Sequence, residues 1–141
     1  MNLYTKPNTM EEIKIQGHAK FWIGEEGILH CKLSNSNMDK KLDYKTAQLY
    51  LEAIETLSKG RPMPLLIDLR STKGTFSSAA AQLLAKSWDN MPSVLCEGYV
   101  VSTLSVKLLV QAYKRIYKTK IPFGIFNNLN KATEYCLSHN N

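Results

Sequence analysis

The chain of 141 residues lacks any apolar run near the roughly 18 to 20 residues that a membrane-spanning helix needs. Its opening stretch, MNLYTKPNTMEEIKIQ, lacks the apolar core of a secretory signal, so neither membrane insertion nor export is expected and the reading is cytoplasmic. Cysteine is scarce: Cys31, Cys96 and Cys136 are an odd, widely spaced set without a CxxC pair. That excludes a disulfide framework and leaves three packed, reduced thiols. The three histidines, His18, His30 and His139, lack metal-ligand spacing. His30 and Cys31 are neighbours on a strand, so their side chains point to opposite faces. No metal and no cofactor is expected.

Acid is missing from one half of the chain. Residues 1–60 hold eight lysines against eight acids, whereas residues 61–141 hold ten Lys or Arg against Asp68, Asp89, Glu97 and Glu134. The whole net charge of +6 therefore lies in the C-terminal part. A basic half attracts an anionic partner or simply keeps a chain soluble. No RNP-like, KH-like or helix-turn-helix pattern accompanies it, so nucleic acid is not favoured as a partner.

What is present is an ordinary globular composition, 44% apolar and 21% charged, in a length that suits one domain. AKFWIGEEGILHCKL alternates on both sides of GEEG and predicts a β-hairpin, roughly Ala19–Ile23 with Ile28–Leu33. Ile13 and Ile15 extend the first arm or form a short extra strand in an N-terminal segment, residues 1–18, ahead of a single domain over 19–141. SNSNMDKK is a polar connection. Asp43 reads as the cap of a helix running to about Lys59 and stopped by Gly60, with Ala47, Tyr50, Leu51, Ile54 and Leu57 on one face. Leu65–Ile67 is a short buried strand. A second helix spans about Ser77 to Trp88, ended by Asn90, Met91 and Pro92. Gly98–Val101 is a strand, STLSVKLLVQAYKRIYK a helix capped by Ser102 or Thr103, and Ile121–Phe126 a strand. Asn128 caps a last helix with Leu129, Ala132 and Cys136 inward. Alternating strands and helices predict an α/β fold: a mainly parallel mixed sheet with an N-terminal β-hairpin and about four helices.

The stretch PLLIDLRSTKGTFSSAAAQLL joins a buried strand to a helix through a hydroxyl-rich loop. A phosphate loop needs GxxxxGK followed by Ser or Thr, and here the order is Lys73-Gly74-Thr75. No nucleophile elbow occurs either. Ser77 or Thr75 can cap the helix. Asp68, Arg70, Ser71, Thr72, Lys73, Thr75 and Ser78 form the candidate binding loop, where a helix N-terminus and two cations would favour an anion. No acid, base and nucleophile array accompanies them, so catalysis is not expected. In the third helix Lys107, Gln111, Lys114 and Lys118 make a polar stripe, read as a solvated face. Leu104, Leu108, Ala112 and Ile116 lie on one apolar flank and Val106, Val110, Tyr113 and Tyr117 on another. One flank must cover the sheet. The other is buried against neighbouring helices or free as a subunit or partner interface, for which Val106, Val110, Tyr113 and Tyr117 are the candidates.

With the hairpin, LLIDL, SSAAAQLLAK, GYVV and IPFGIFNNLNKATEYCL in this order, the chain from about Ala19 to His139 resembles the STAS domains. It is most similar to their SpoIIAA-like branch, which includes anti-sigma-factor antagonists and bacterial single-domain proteins. The resemblance implies a non-catalytic scaffold that binds a protein partner, and the apolar flank of the third helix adds a homodimer as an expectation. In the antagonists the second helix opens with Asp-Ser-Ser-Gly or a close variant, whose first serine is phosphorylated by a partner kinase. The matching residues here are Phe76-Ser77-Ser78-Ala79, which makes Ser77 the phosphoacceptor position, with Phe76 in place of the acid and Ala79 in place of the glycine. Two functions remain open: a protein-interaction or regulatory module, and a module binding a small anion or a lipid-like molecule near the strand ends.

Overall fold

In the computed structural model, residues 11–35, 41–72, 75–89 and 93–140 are described. Lys73, Gly74 and the proposed helix stop at Asn90, Met91 and Pro92 lie outside them, as does most of the SNSNMDKK connection. Among the described residues six strands form one sheet in the order of the chain: β1 (Glu12–Ile15), β2 (Ala19–Ile23), β3 (Leu29–Asn35), β4 (Met63–Thr72), β5 (Val94–Val100) and β6 (Phe123–Phe126). The first three pair antiparallel and the last four parallel, β3 belonging to both sets. The chain crosses from β3 to β4 through α1 (Tyr44–Ser58), to β5 through α2 (Ser78–Asp89), and to β6 through α3 (Leu104–Ile116). Parallel crossovers keep one hand, so three successive steps in one direction stack their helices on one face of the sheet. The last helix, α4 (Leu129–Ser138), follows β6 and covers β4 and β5 from the other side.

Strand alternation sorts the core into two layers. Phe21, Leu29, Cys31, Leu65, Ile67 and Tyr99 face α1 and α3. Ile28, Leu66, Cys96 and Val100 face Ala132 and Cys136 of α4. His30 accordingly points away from buried Cys31 and stacks on Trp22, ring centroids 4.9 Å apart. A Cβ at Gly98 would stand 3.0 Å from Cys136 Sγ, so α4 lies close against this strand position and a larger residue would need Cys136 to give way. Local signals end the helices as their chemistry requires. Thr46 N donates to Asp43 Oδ1 at 2.8 Å, and Lys59 and Gly60 turn the chain away from α1 with φ of 53° and 78°. Thr103, the second of the two caps considered, accepts from Val106 N, and Asn128 Oδ1 accepts from Lys131 N.

Three expectations need correction. β4 runs through Asp68, Arg70, Ser71 and Thr72, which are strand and not loop, because Ser71 and Thr72 pair with Ser34 and Asn35 of β3. Polar composition suggested a loop there, whereas the partner strand supplied a ladder. Leu129 is exposed, unlike buried Ala132 and Cys136. Val106, Val110 and Tyr113 are the sheet-covering side of α3 and are buried within the chain, with Tyr117 half-buried beside Tyr113. They are therefore not the free flank. The free apolar side chains are Leu104, Leu108 and Ile116, 68%, 53% and 66% exposed.

Candidate functional site

Between the sheet and α1, α2 and α3, toward the C-terminal ends of β3 and β4, the packing is incomplete. A cavity of about 160 Å³ remains there. Its floor is Phe21, Cys31, Leu65, Ile67, Leu69 and Tyr99. Tyr50 and Ile54 of α1, Leu84 of α2, and Val106, Leu109, Val110 and Tyr113 of α3 supply the walls. Polar groups collect at one end: His18, Ser34, Lys41, Thr72 and Thr75. Leu42 and Phe76 bridge as a short parallel pair over this end, held by Leu42 N donating to Thr75 O and Ser77 N donating to Leu42 O. The ends of parallel strands are where open α/β sheets leave a crevice.

A bulge shapes the floor. Between the pairs Lys32–Asp68 and Ser34–Ser71, β4 carries one residue more than β3. An extra residue breaks strict alternation, so Leu69 and Thr72 both reach the cavity. Asp68 stabilises the irregularity. Its Oδ1 accepts from Arg70 N at 3.0 Å and from Arg70 Nε at 2.9 Å, while Oδ2 accepts from Arg70 Nη2 at 2.8 Å. Burial alone would raise the Asp68 pKa, but the Arg70 hydrogen bonds and charge outweigh it and hold the carboxyl below its ordinary range. Three groups that line the cavity, Cys31, Tyr50 and Tyr99, stay neutral. Burial pushes the Cys31 thiol and the Tyr99 phenol well up, and Tyr50 up to about 12. A buried thiol kept protonated is a poor nucleophile.

Of the sequence-nominated loop, Thr72 and Thr75 reach the cavity. Asp68 and Arg70 are tied to each other, Ser71 is exposed, and Ser78 is exposed at the first turn of α2. Ser77 is half-buried and caps α2, its Oγ accepting from Ala80 N at 3.1 Å. Among the described residues no group of three His, Cys, Asp or Glu could hold a metal ion.

The feature that sequence reasoning missed lies beside the cavity wall. Glu97 of β5 and Lys114 of α3 form an ion pair with side chains 0% and 3% exposed. Lys114 belonged to the supposed solvated stripe, but the stripe is split. Lys107, Gln111 and Lys118 are exposed while Lys114 turns inward toward the sheet. Its Nζ also lies 3.4 Å from Thr119 Oγ1 and 5.0 Å from the Phe123 ring centroid, with the Tyr113 and Tyr99 rings at 5.7 and 5.9 Å. Burial raises the Glu97 pKa, and the Lys114 charge opposes that shift without cancelling it. The signal was a lone acid inside the apolar run VLCEGYV, which required a cation from an overlying helix.

The fold is α/β and of the SpoIIAA-like kind. A crystal structure of an uncharacterised DUF3478-family protein from Shewanella loihica, described as having a SpoIIAA-like fold, is similar to this chain at a TM-score of 0.57. The two share 14% sequence identity, over 91% of this chain and 92% of the other. Residues 21–140 match the family model described as domain of unknown function DUF7793, and the chain belongs to that family. No curated protein matches the chain.

Proposed function

We propose that the chain is a non-enzymatic binding module whose cavity takes a small, largely apolar ligand with one polar or anionic end. The observation that carries this reading is the cavity itself. Its volume of about 160 Å³ is close to that of apolar protein cavities that hold a single aromatic ring, roughly 150 Å³. A phenyl or short branched alkyl group matches the interior, and a carboxylate matches Lys41, His18 and the hydroxyls of Thr72 and Thr75 at the polar end. Neutral phenols and a protonated thiol suit binding better than chemistry. Calorimetric titration with aryl carboxylates and short branched acids tests it. Saturable binding with a negative heat-capacity change is expected, since apolar surface is buried. Heat only from inorganic phosphate or nucleotides would move the site elsewhere.

A second reading, regulation through a protein partner, is favoured by the exposed Leu104, Leu108 and Ile116 on α3. Ser77, at the phosphoacceptor position, is assigned to capping in this reading, because its hydroxyl is engaged with Ala80 N and Phe76 stands where the antagonists have an acid.

A further inference from the structure

Helix α3 presents two chemistries on its outer side. At about 100° per residue, Leu104, Arg115 and Leu108 fall within roughly 40° of arc, with Lys107 and Gln111 adjoining them, while Lys118 follows the C-cap Tyr117. Leu104 and Leu108 are exposed, as are Lys107, Arg115 and Lys118. No Asp or Glu occurs between Gly98 and Thr133. Among the described residues, the cation of this helix that finds an acid is Lys114, which turns inward to Glu97. The outer side therefore offers aliphatic contact area beside positive charge that no described acid compensates.

We propose that the outer side of α3 docks an acidic amphipathic helix of a partner protein, with Leu104 and Leu108 as the apolar contacts and Lys107 and Arg115 pairing with its carboxylates. This rests on the interaction reading above and not on the cavity. Three occupants compete. A second copy of this chain, packed about a two-fold axis, would set the same basic helix against itself, and like charges oppose that contact. A membrane surface calls for an apolar face segregated from the charged one, whereas here leucine and arginine share the same arc. Nucleic acid calls for stacking platforms, and the exposed apolar side chains of α3 are aliphatic. Interleaved leucines and charges are instead the pattern by which helices choose helical partners, apolar contacts giving affinity and flanking charges giving selectivity.

The test is a displayed library of helical peptides with leucine fixed at i, i+4 rows and Asp, Glu, Lys, Arg or Gln varied beside them, selected on the full chain at low ionic strength. Enriched peptides are expected to be net acidic, to lose binding by about tenfold or more on a Leu104→Ser/Leu108→Ser chain, and to weaken with salt. Neither leucine lines the cavity, so the double variant should keep whatever carboxylate the cavity binds. Lack of enrichment, or enrichment of neutral or basic peptides, overturns the proposal. Acidic peptides that still bind the double variant also overturn it, while leaving an interaction module with another surface. A dimer in light scattering that the double variant dissolves, or sedimentation with anionic phospholipid vesicles that it abolishes, would assign the surface to a second copy or a membrane and overturn it as well.

Discussion

At the scale of single residues, two buried carboxylates follow opposite logic. Glu97 and Lys114 are both withdrawn from water, where burying two charges offsets much of what their attraction returns. Removing one partner leaves the other charge buried alone. Glu97→Gln or Lys114→Met alone should each cost about 3–5 kcal/mol, whereas the double change to Gln and Met should cost far less than the sum. Urea unfolding of the three variants checks this, and additive losses would mean that the pair is not coupled. Asp68 is the contrary case: Arg70 holds its pKa below the unfolded value. Its contribution to stability is therefore complete above the ordinary carboxylate range and is lost as pH falls through the depressed folded-state pKa. Asp68→Asn should destabilise the protein at neutral pH, with the deficit shrinking toward zero in acid. Melting curves of both proteins from neutral to acidic pH read this out, and a deficit independent of pH would separate Asp68 from the bulge it is argued to hold.

At the scale of elements, the helices were largely legible because their ends are chemical. Asp43, Ser77, Thr103 and Asn128 each cap where a hydroxyl, carboxylate or amide precedes an apolar periodicity. Ser77→Ala should cost about 1 kcal/mol. The strands were less legible. Ser71 and Thr72 are strand only because β3 pairs with them, and the bulge beside Asp68 depends on register, which a single strand does not encode. Helix α3 shows the same limit. Its periodicity identified two apolar flanks, but only packing decided that Val106 and Val110 go inside while Leu104 and Leu108 stay outside. The two sides should answer mutation differently. Val110→Ala, which enlarges a buried space, should cost about 1–3 kcal/mol, while Leu108→Ser should stay within about 0.5 kcal/mol. Equal losses in denaturant titrations would contradict the assignment of faces.

At the scale of the whole molecule, the order β-α-β-α-β-α-β-α behind a hairpin was readable from alternating patterns, and with it a mainly parallel mixed sheet, whereas the sheet order and the face shared by α1, α2 and α3 came from the structure. The cavity was not. It is drawn from residues as far apart as His18 and Tyr113, and a void has no sequence pattern of its own. The sequence pointed to the strand ends as a crevice, yet placed the polar loop set there, of which Thr72 and Thr75 reach the space. Cys31, Tyr50 and Tyr99 read only as core. They are core, and they are also the lining.

The most direct test of the cavity as a ligand site is the melting temperature of the natural chain and of Ile67→Phe, side by side, against the same panel of aryl carboxylates and short branched acids. Ile67 lies in the cavity floor, so a phenylalanine there occupies the space a ligand would take. The account predicts that at least one compound, at about a hundredfold excess over its Kd, raises the melting temperature of the natural chain by roughly 5–10 °C and leaves the folded Ile67→Phe chain unmoved. A flat response of the natural chain to the whole panel, or an equal rise in both proteins, would contradict it.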